Sequence, residues 1–386
     1  MRFYVTIQGS VISKEGDRLL VKKDGDVYHT IFLHKLEQLL LFGNINLTPA
    51  AIKKLFKEGV DTVFLSKDGR FVGRFNLEEG KNFFLRKRQF YLLDEKDFIL
   101  SIARSIVKAK LFNMVSLLMR IGRTKGKSAC KKAAYEIRSI MEKLDGATSV
   151  ESIRGYEGKG SSIYFSVFSE GLLQDFGFRK RVRRPPTDPV NSVLSLLYTF
   201  LFNRVYSAIR VANLDPYPGN LHSPDYGRYA LVMDLMEEFR VIIADTLCLS
   251  LFNLGILKGE DFVQVREERE EEMRDEDVLA EDEIVRDRFG LMSANKASEF
   301  FDVPEQRFSE DGVDACSNDR GKLPVVLKRE ALKRVISSFE KKLQTEFYYE
   351  PLERRISYEK AILEQARQYR RVVEGELSTY VPLTLK

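Results

Sequence analysis

Tryptophan is absent from this chain of 386 residues, and cysteine and histidine occur three times each. The missing tryptophan decides nothing. The cysteines Cys130, Cys248 and Cys316 lie far apart and form no CxxC pair. A thiolate zinc site of the usual spacing is therefore not expected. A disulfide framework is not expected either, and a reducing compartment suits the chain. The opening MRFYVTIQGS lacks the charged-then-apolar order of an export signal. No uninterrupted apolar stretch reaches the roughly 18 residues that span a bilayer. These absences lead to the expectation of a soluble cytoplasmic protein with no membrane partner. An excess of one charge is also lacking, since 62 Lys and Arg stand against 57 Asp and Glu, a net +5. The near balance conceals local asymmetry, which hints at nucleic-acid contact. With 44% hydrophobic residues the chain is not disordered as a whole, and its length suffices for two ordinary cores.

The period of the apolar residues divides the chain. Residues 1–80 read as a small β-rich, sheet-on-sheet domain. FYVTI, RLLVKK and VYHTIFL are strand candidates between the turn signals QGS, KEGD and KDGD. One short helix interrupts them, with Thr48 as N-cap, Pro49 at its first position and Gly59 at its stop. A hairpin around Asp68-Gly69 follows. From residue 84 to 386 the spacing changes to three and four, and the segments read as helices. The fold class is thus α+β, an N-terminal β-rich domain before a larger all-α domain. An acidic insertion near residues 260–322 breaks the pattern, most densely over 265–288. It reads either as a solvated segment or as a docking surface.

The chemistry gathers around GNLHSPDYGRYALVMDLMEEFR, Gly219 to Arg240. His222 stands in a turn-rich loop before a helix. On that helix Asp234 shares a face with Glu237 and Glu238, three and four residues on, and Asp245 falls close to the same line. Like charges at these spacings repel by a few tenths of a kcal/mol, so solvent or a cation must offset them. One reading is a wet helix face beside an unrelated histidine. The other is a divalent-metal site, whose imidazole and carboxylates suit Mn²⁺ or Mg²⁺ better than Zn²⁺. A further ligand is offered by Glu157, bracketed by Gly155, Gly158 and Gly160 and placed just before a helix, although a capping turn would look the same. Between these segments Arg179, Lys180, Arg181, Arg183 and Arg184 crowd into a loop ahead of Pro185-Pro186. Such a cluster offers phosphate contacts at a defined place, or is a solvated charge run. His29 and His34 read as structural or surface residues, and Cys248 as a small core residue.

RGYEGKGSSIYF, FRKRVRRPPTDPVNSVLSLLY and LDPYPGNLHSPDYGRYALVMDLMEEFR occur in that order. Together they resemble the CRISPR-associated adaptation endonuclease and integrase, the first of the two proteins common to most CRISPR loci. The resemblance covers nearly the whole chain. It implies a catalytic metal site for Mg²⁺ or Mn²⁺ made by Glu157, His222 and Glu237, with Asp234 as support. Periodicity alone does not choose between Glu237 and Glu238, whereas the resemblance selects Glu237. It further implies DNA contacts at Arg240 and in the arginine cluster, Arg179, Arg181, Arg183 and Arg184, and a structural or site-supporting Asn191.

The activity so implied is attack of a DNA 3′-hydroxyl on a phosphodiester at the edge of a CRISPR repeat, so that a short foreign duplex becomes a spacer. Water in place of the hydroxyl would cut DNA at the same site. The implied partners are double-stranded DNA, a second copy of the chain joined through the β-rich domain, and a dimer of the small second adaptation protein. Two other functions remain open at this point, a structure-selective nuclease on branched DNA and a DNA-binding scaffold with a dead site.

Overall fold

The computed structural model describes residues 1–75, 82–182, 185–265 and 323–385. The acidic stretch, Cys316, Arg183 and Arg184 lie outside the described residues. The chain forms two compact units, one of Met1–Lys81 with Tyr198–Phe200, the other of Asn82–Leu197 with Leu201–Lys386.

The first unit holds two four-stranded sheets. Strands β1 (Arg2–Val5), β5 (Gln38–Phe42), β7 (Asp61–Leu65) and β8 (Phe71–Arg74) pair in the order β1-β5-β7-β8. Strands β4 (Asp26–Phe32), β3 (Arg18–Lys23), β2 (Ser10–Glu15) and β6 (Ile45–Leu47) pair in the order β4-β3-β2-β6. Every residue of β5 is buried, as expected of a strand paired in parallel on both sides. One apolar core draws Val5, Leu39 and Leu41 from the first sheet and Ile12, Leu19 and Ile31 from the second. Helix α1 (Pro49–Lys57) closes over it with Ala51 and Leu55. Thr48 caps α1 by accepting from the Ala51 amide at 3.3 Å, Pro49 opens it, and Gly59 leaves it at φ +66°. The hairpin at Asp68-Gly69 joins β7 to β8, with Gly69 at φ +88°. His29 and His34 are exposed, and His29 packs edge-on against Phe3.

The second unit is mostly helical. Its long apolar stretch is two helices, α2 (Phe83–Tyr91) and the 29-residue α3 (Lys96–Thr124). Helices α4 (Ser128–Leu144), α5 (Val150–Ser166) and α7 (Ala230–Phe239) pack on α3. Helix α6 (Pro189–Val211) is long and apolar enough to span a membrane by length and composition, yet 67% of its most apolar window is buried, as in a core helix. A single helix over residues 230–253 is not what forms. Six residues of π-helix, Arg240–Asp245, separate α7 from α8 (Thr246–Asn253). The wider turn shifts the register, so Asp245 does not continue the Asp234 line and instead accepts from the buried Tyr164 hydroxyl at 2.8 Å. Cys248 lies fully buried on α8. Helices α9 (Arg329–Gln344) and α10 (Tyr358–Glu374) complete the unit.

Two short ladders accompany the helices of the second unit. Strands β9 (Phe262–Gln264) and β10 (Val325–Leu327) pair antiparallel, as do β11 (Glu346–Tyr349) and β12 (Arg354–Ser357). Both ladders are too short to leave a period-two signature, and β9 and β10 are separated by some sixty residues of sequence.

Candidate functional site

Helix α3 carries an unexpected charge into the core. Its buried stripe runs through Ile106, Val107, Lys110, Asn113, Met114 and Leu117, so a lysine and an asparagine stand where the spacing asks for apolar side chains. The Lys110 side chain is only 5% exposed, and its ammonium bridges two carboxylates. It pairs with Glu157 of α5 and, at 2.7 Å, with Glu237 of α7. The two acids are thus brought together, both buried.

Glu157 stands in mid-helix rather than in a turn before one, which corrects the expectation from its glycine bracket. Gly160 serves another purpose. A Cβ on Gly160 would drive into the Leu111 side chain, so the bare glycine lets α5 approach α3 closely enough for Lys110 to reach Glu157. Ser161, one turn on, donates to Glu157 Oε1 at 2.7 Å. Glu237 Oε1 lies 3.0 Å from the Arg240 guanidinium, which sits at the start of the π-helical turn.

His222 is held by a clamp made by Asp234, which is fully buried. One Asp234 oxygen accepts the amides of Asn220 and Leu221. The other accepts the His222 amide at 2.9 Å and meets His222 Nδ1 at 2.7 Å. A carboxylate only accepts, so Nδ1 carries the hydrogen and Nε2 is the nitrogen able to offer a lone pair. Asp234 therefore orients the imidazole and ties the loop to α7. From α5, Arg154 braces the same loop, donating to the Leu221 carbonyl and the Ser223 hydroxyl, both at 2.7 Å. Gly219 gives the loop its path, since a Cβ there would come within 2.6 Å of Ala230 Cβ.

Glu238 faces away from this cluster. Its carboxylate accepts from Tyr380 Oη at 2.6 Å, from Gln365 Nε2 at 2.7 Å and from the Leu383 amide. Burial pushes its carboxyl up to about 7, against the opposing pull of those three donors. Asn113 strengthens the anchor by donating to the carbonyls of Glu238 and Leu383 and accepting from the Leu385 amide. The adjacent acids thus separate by partner, Glu237 towards Glu157 and Glu238 towards segment 376–385. Replacing Glu238 with Ala is expected to release that segment at a cost of about 3 kcal/mol, because buried donors lose their acceptor. Hydrogen exchange checks this, and the Leu383 amide should lose protection first.

The basic cluster divides in the same way. Arg181 is half-buried and donates to Asn191 Oδ1 at 2.8 Å and to Ser195 Oγ at 3.0 Å. Asn191 also holds the Val182 amide and donates to the Lys180 carbonyl, both at 2.9 Å, so it pins the cluster to the start of α6. Asp188 caps that helix, accepting the Asn191 amide at 2.8 Å. Arg179 is exposed and pairs with Asp175 at 2.6 Å.

Among the described residues, no group of three or more His, Cys, Asp or Glu side chains is placed to hold a metal ion. The ammonium of Lys110 holds the two acids instead. The donor set still suits a divalent ion, with two buried carboxylates that already require a cation and an imidazole whose second nitrogen is carboxylate-bound.

Residues 3–277 match the family model described as CRISPR associated protein Cas1. A CRISPR-associated endonuclease Cas1 of Chlorobaculum tepidum is 37% identical over 267 residues, which are 67% of this chain and 78% of that protein. Its Thermus thermophilus counterpart is 38% identical over 263 residues, 67% of this chain and 76% of that one. Among solved structures, a CAS1 protein from Thermotoga maritima covers 100% of both chains at a TM-score of 0.73 and 19% identity. A casposase bound to integration product superimposes at 0.76 with 18% identity, over 100% of this chain and 94% of that one. These likenesses agree with the fold, a β-rich unit followed by a mostly helical one, and on the strength of the sequence match the chain belongs to the Cas1 family of CRISPR-associated proteins.

Proposed function

We propose that this chain is a divalent-metal-dependent DNA endonuclease and integrase of CRISPR adaptation, which joins the 3′-hydroxyl ends of short foreign duplexes to a CRISPR repeat. The observation that carries this reading is the convergence of Glu157 and Glu237, from two helices, on one buried cationic position. The named endonuclease relatives and the casposase neighbour support it.

Glu157, Glu237 and His222 Nε2 would hold Mg²⁺ or Mn²⁺. Such an ion, when bound, supplies a Lewis acid for the phosphodiester and eases deprotonation of the attacking hydroxyl. The other roles belong to the chain itself. Asp234 keeps the His222 hydrogen on Nδ1 and holds the ring in place. Arg240 lies beside Glu237, where it can neutralise a strand phosphate. Arg179 is exposed for a second backbone contact. The transfer is a transesterification. One phosphorus–oxygen bond forms to the incoming 3′ oxygen as another breaks to the repeat strand, and the number of phosphodiesters is unchanged. The working assembly pairs this chain with a second copy and with the small second adaptation protein. A structural neighbour of 22% identity and TM-score 0.77, from a complex titled Cas6-RT-Cas1--Cas2, supports the partnership with the small protein.

A strand-transfer assay tests the reading. A labelled short duplex with 3′-hydroxyl ends is mixed with the chain, its small partner, Mn²⁺ or Mg²⁺, and a supercoiled plasmid bearing the repeat. Label is expected to join the plasmid with the parent and not with His222→Ala. Cutting without joining would make the protein a nuclease only. Equal joining by both proteins would remove His222 from the site.

A further inference from the structure

We infer that Lys110 is an internal competitor for the divalent ion, a side chain that occupies the carboxylate pair until the ion displaces it. The inference rests on the metal-site reading above. Lys110 holds both Glu157 and Glu237 through one ammonium, and it does so inside the core. Two cations cannot share that place. In a poorly solvated interior the repulsion between an ammonium and a divalent ion at contact distance far exceeds thermal energy. The stem of lysine has four carbons and can withdraw its charge without moving the helix.

Both carboxylates keep a partner when Lys110 withdraws. Glu157 keeps the Ser161 hydroxyl at 2.7 Å, and Glu237 keeps Arg240 at 3.0 Å. Each carboxylate thus has a partner of its own, and Lys110 is the partner they share. Its role is positional. It holds the two acids together against their mutual repulsion before the ion arrives, and it sets the affinity the ion must reach.

The test uses the intact chain and Mn²⁺ alone, without DNA. Binding of Mn²⁺ is followed by the electron paramagnetic resonance of the unbound ion. Lys110→Met is expected to bind Mn²⁺ about tenfold more tightly than the parent, a coupling of ordinary size for two ligands that exclude one another. The parent itself provides a second readout, since Lys110→Met leaves two buried acids without their shared cation and can fold poorly. Amine labelling with mass spectrometry should find Lys110 protected in the absence of metal and reactive at saturating Mn²⁺, while the half-buried Lys342 stays unchanged. Bound Mn²⁺ with Lys110 still protected would overturn the displacement and leave the metal site standing. An unchanged Kd in a folded Lys110→Met protein would do the same. If neither protein binds Mn²⁺, the metal site itself fails, and this inference with it.

Discussion

Strand transfer by Glu237→Gln is expected to fall at least 100-fold while Glu238→Gln keeps most of its activity. Losing an outer partner of a metal site costs roughly 10–100-fold, and losing a ligand should reach or pass the upper figure. Neighbours on one helix rarely differ so much, and the reason is their surroundings. Glu237 shares the Lys110 ammonium with Glu157. Glu238 sits among Tyr380, Gln365 and the Leu383 amide, with its carboxyl raised to about 7 by burial, so a neutral amide is a close replacement for it. The same plasmid-joining assay reads both variants, with circular dichroism to show that each is folded. Comparable losses in the two would mean that segment 376–385, not the carboxylate pair, governs activity.

Asp234→Ala is expected to be the most damaging single change to the fold of the site, costing about 3–5 kcal/mol, since each buried donor left without an acceptor costs about 1–3 kcal/mol. Three backbone amides, from Asn220, Leu221 and His222, lose their acceptor together with the imidazole. All of these groups are buried, so water cannot replace the carboxylate. The isosteric Asp234→Asn keeps one oxygen for the Asn220 and Leu221 amides, offers the His222 amide and Nδ1 no acceptor, and should weaken Mn²⁺ binding roughly 10–100-fold at a smaller stability cost. Urea denaturation and Mn²⁺ titration of the two variants separate the structural from the orienting part of the role. Equal losses of stability in both would place the whole effect in the charge.

Local rules made much of this protein legible. Thr48, Pro49 and Gly59 marked the first helix because a cap, a locked φ and a left-handed stop act within a few residues. The longer helices were visible in spacings of three and four, since each buries a continuous stripe. Lys110 could have been found in the same way. A lysine in register with Ile106, Val107 and Met114 breaks an apolar stripe, and a charge placed there needs a buried partner. The hairpin of β11 and β12 escaped because four residues are too few to separate period two from period three and a half.

The sequence by itself determined the division into β-rich and helical parts, the order of the motifs that mark the family, and the choice of acids and histidine available for chemistry. Tertiary structure alone decided which of these meet. It set Glu157 in mid-helix against α3 through the bare Gly160, spent Arg181 on Asn191 and Ser195, and turned Asp245 away through a π-helical turn. It also gave adjacent Glu237 and Glu238 opposite neighbours. The reason is one of range. Caps and periodicity act over a turn or two of chain, whereas the partner of a buried charge comes from whichever distant helix packs beside it, and the cost of leaving that charge unpaired makes the pairing specific.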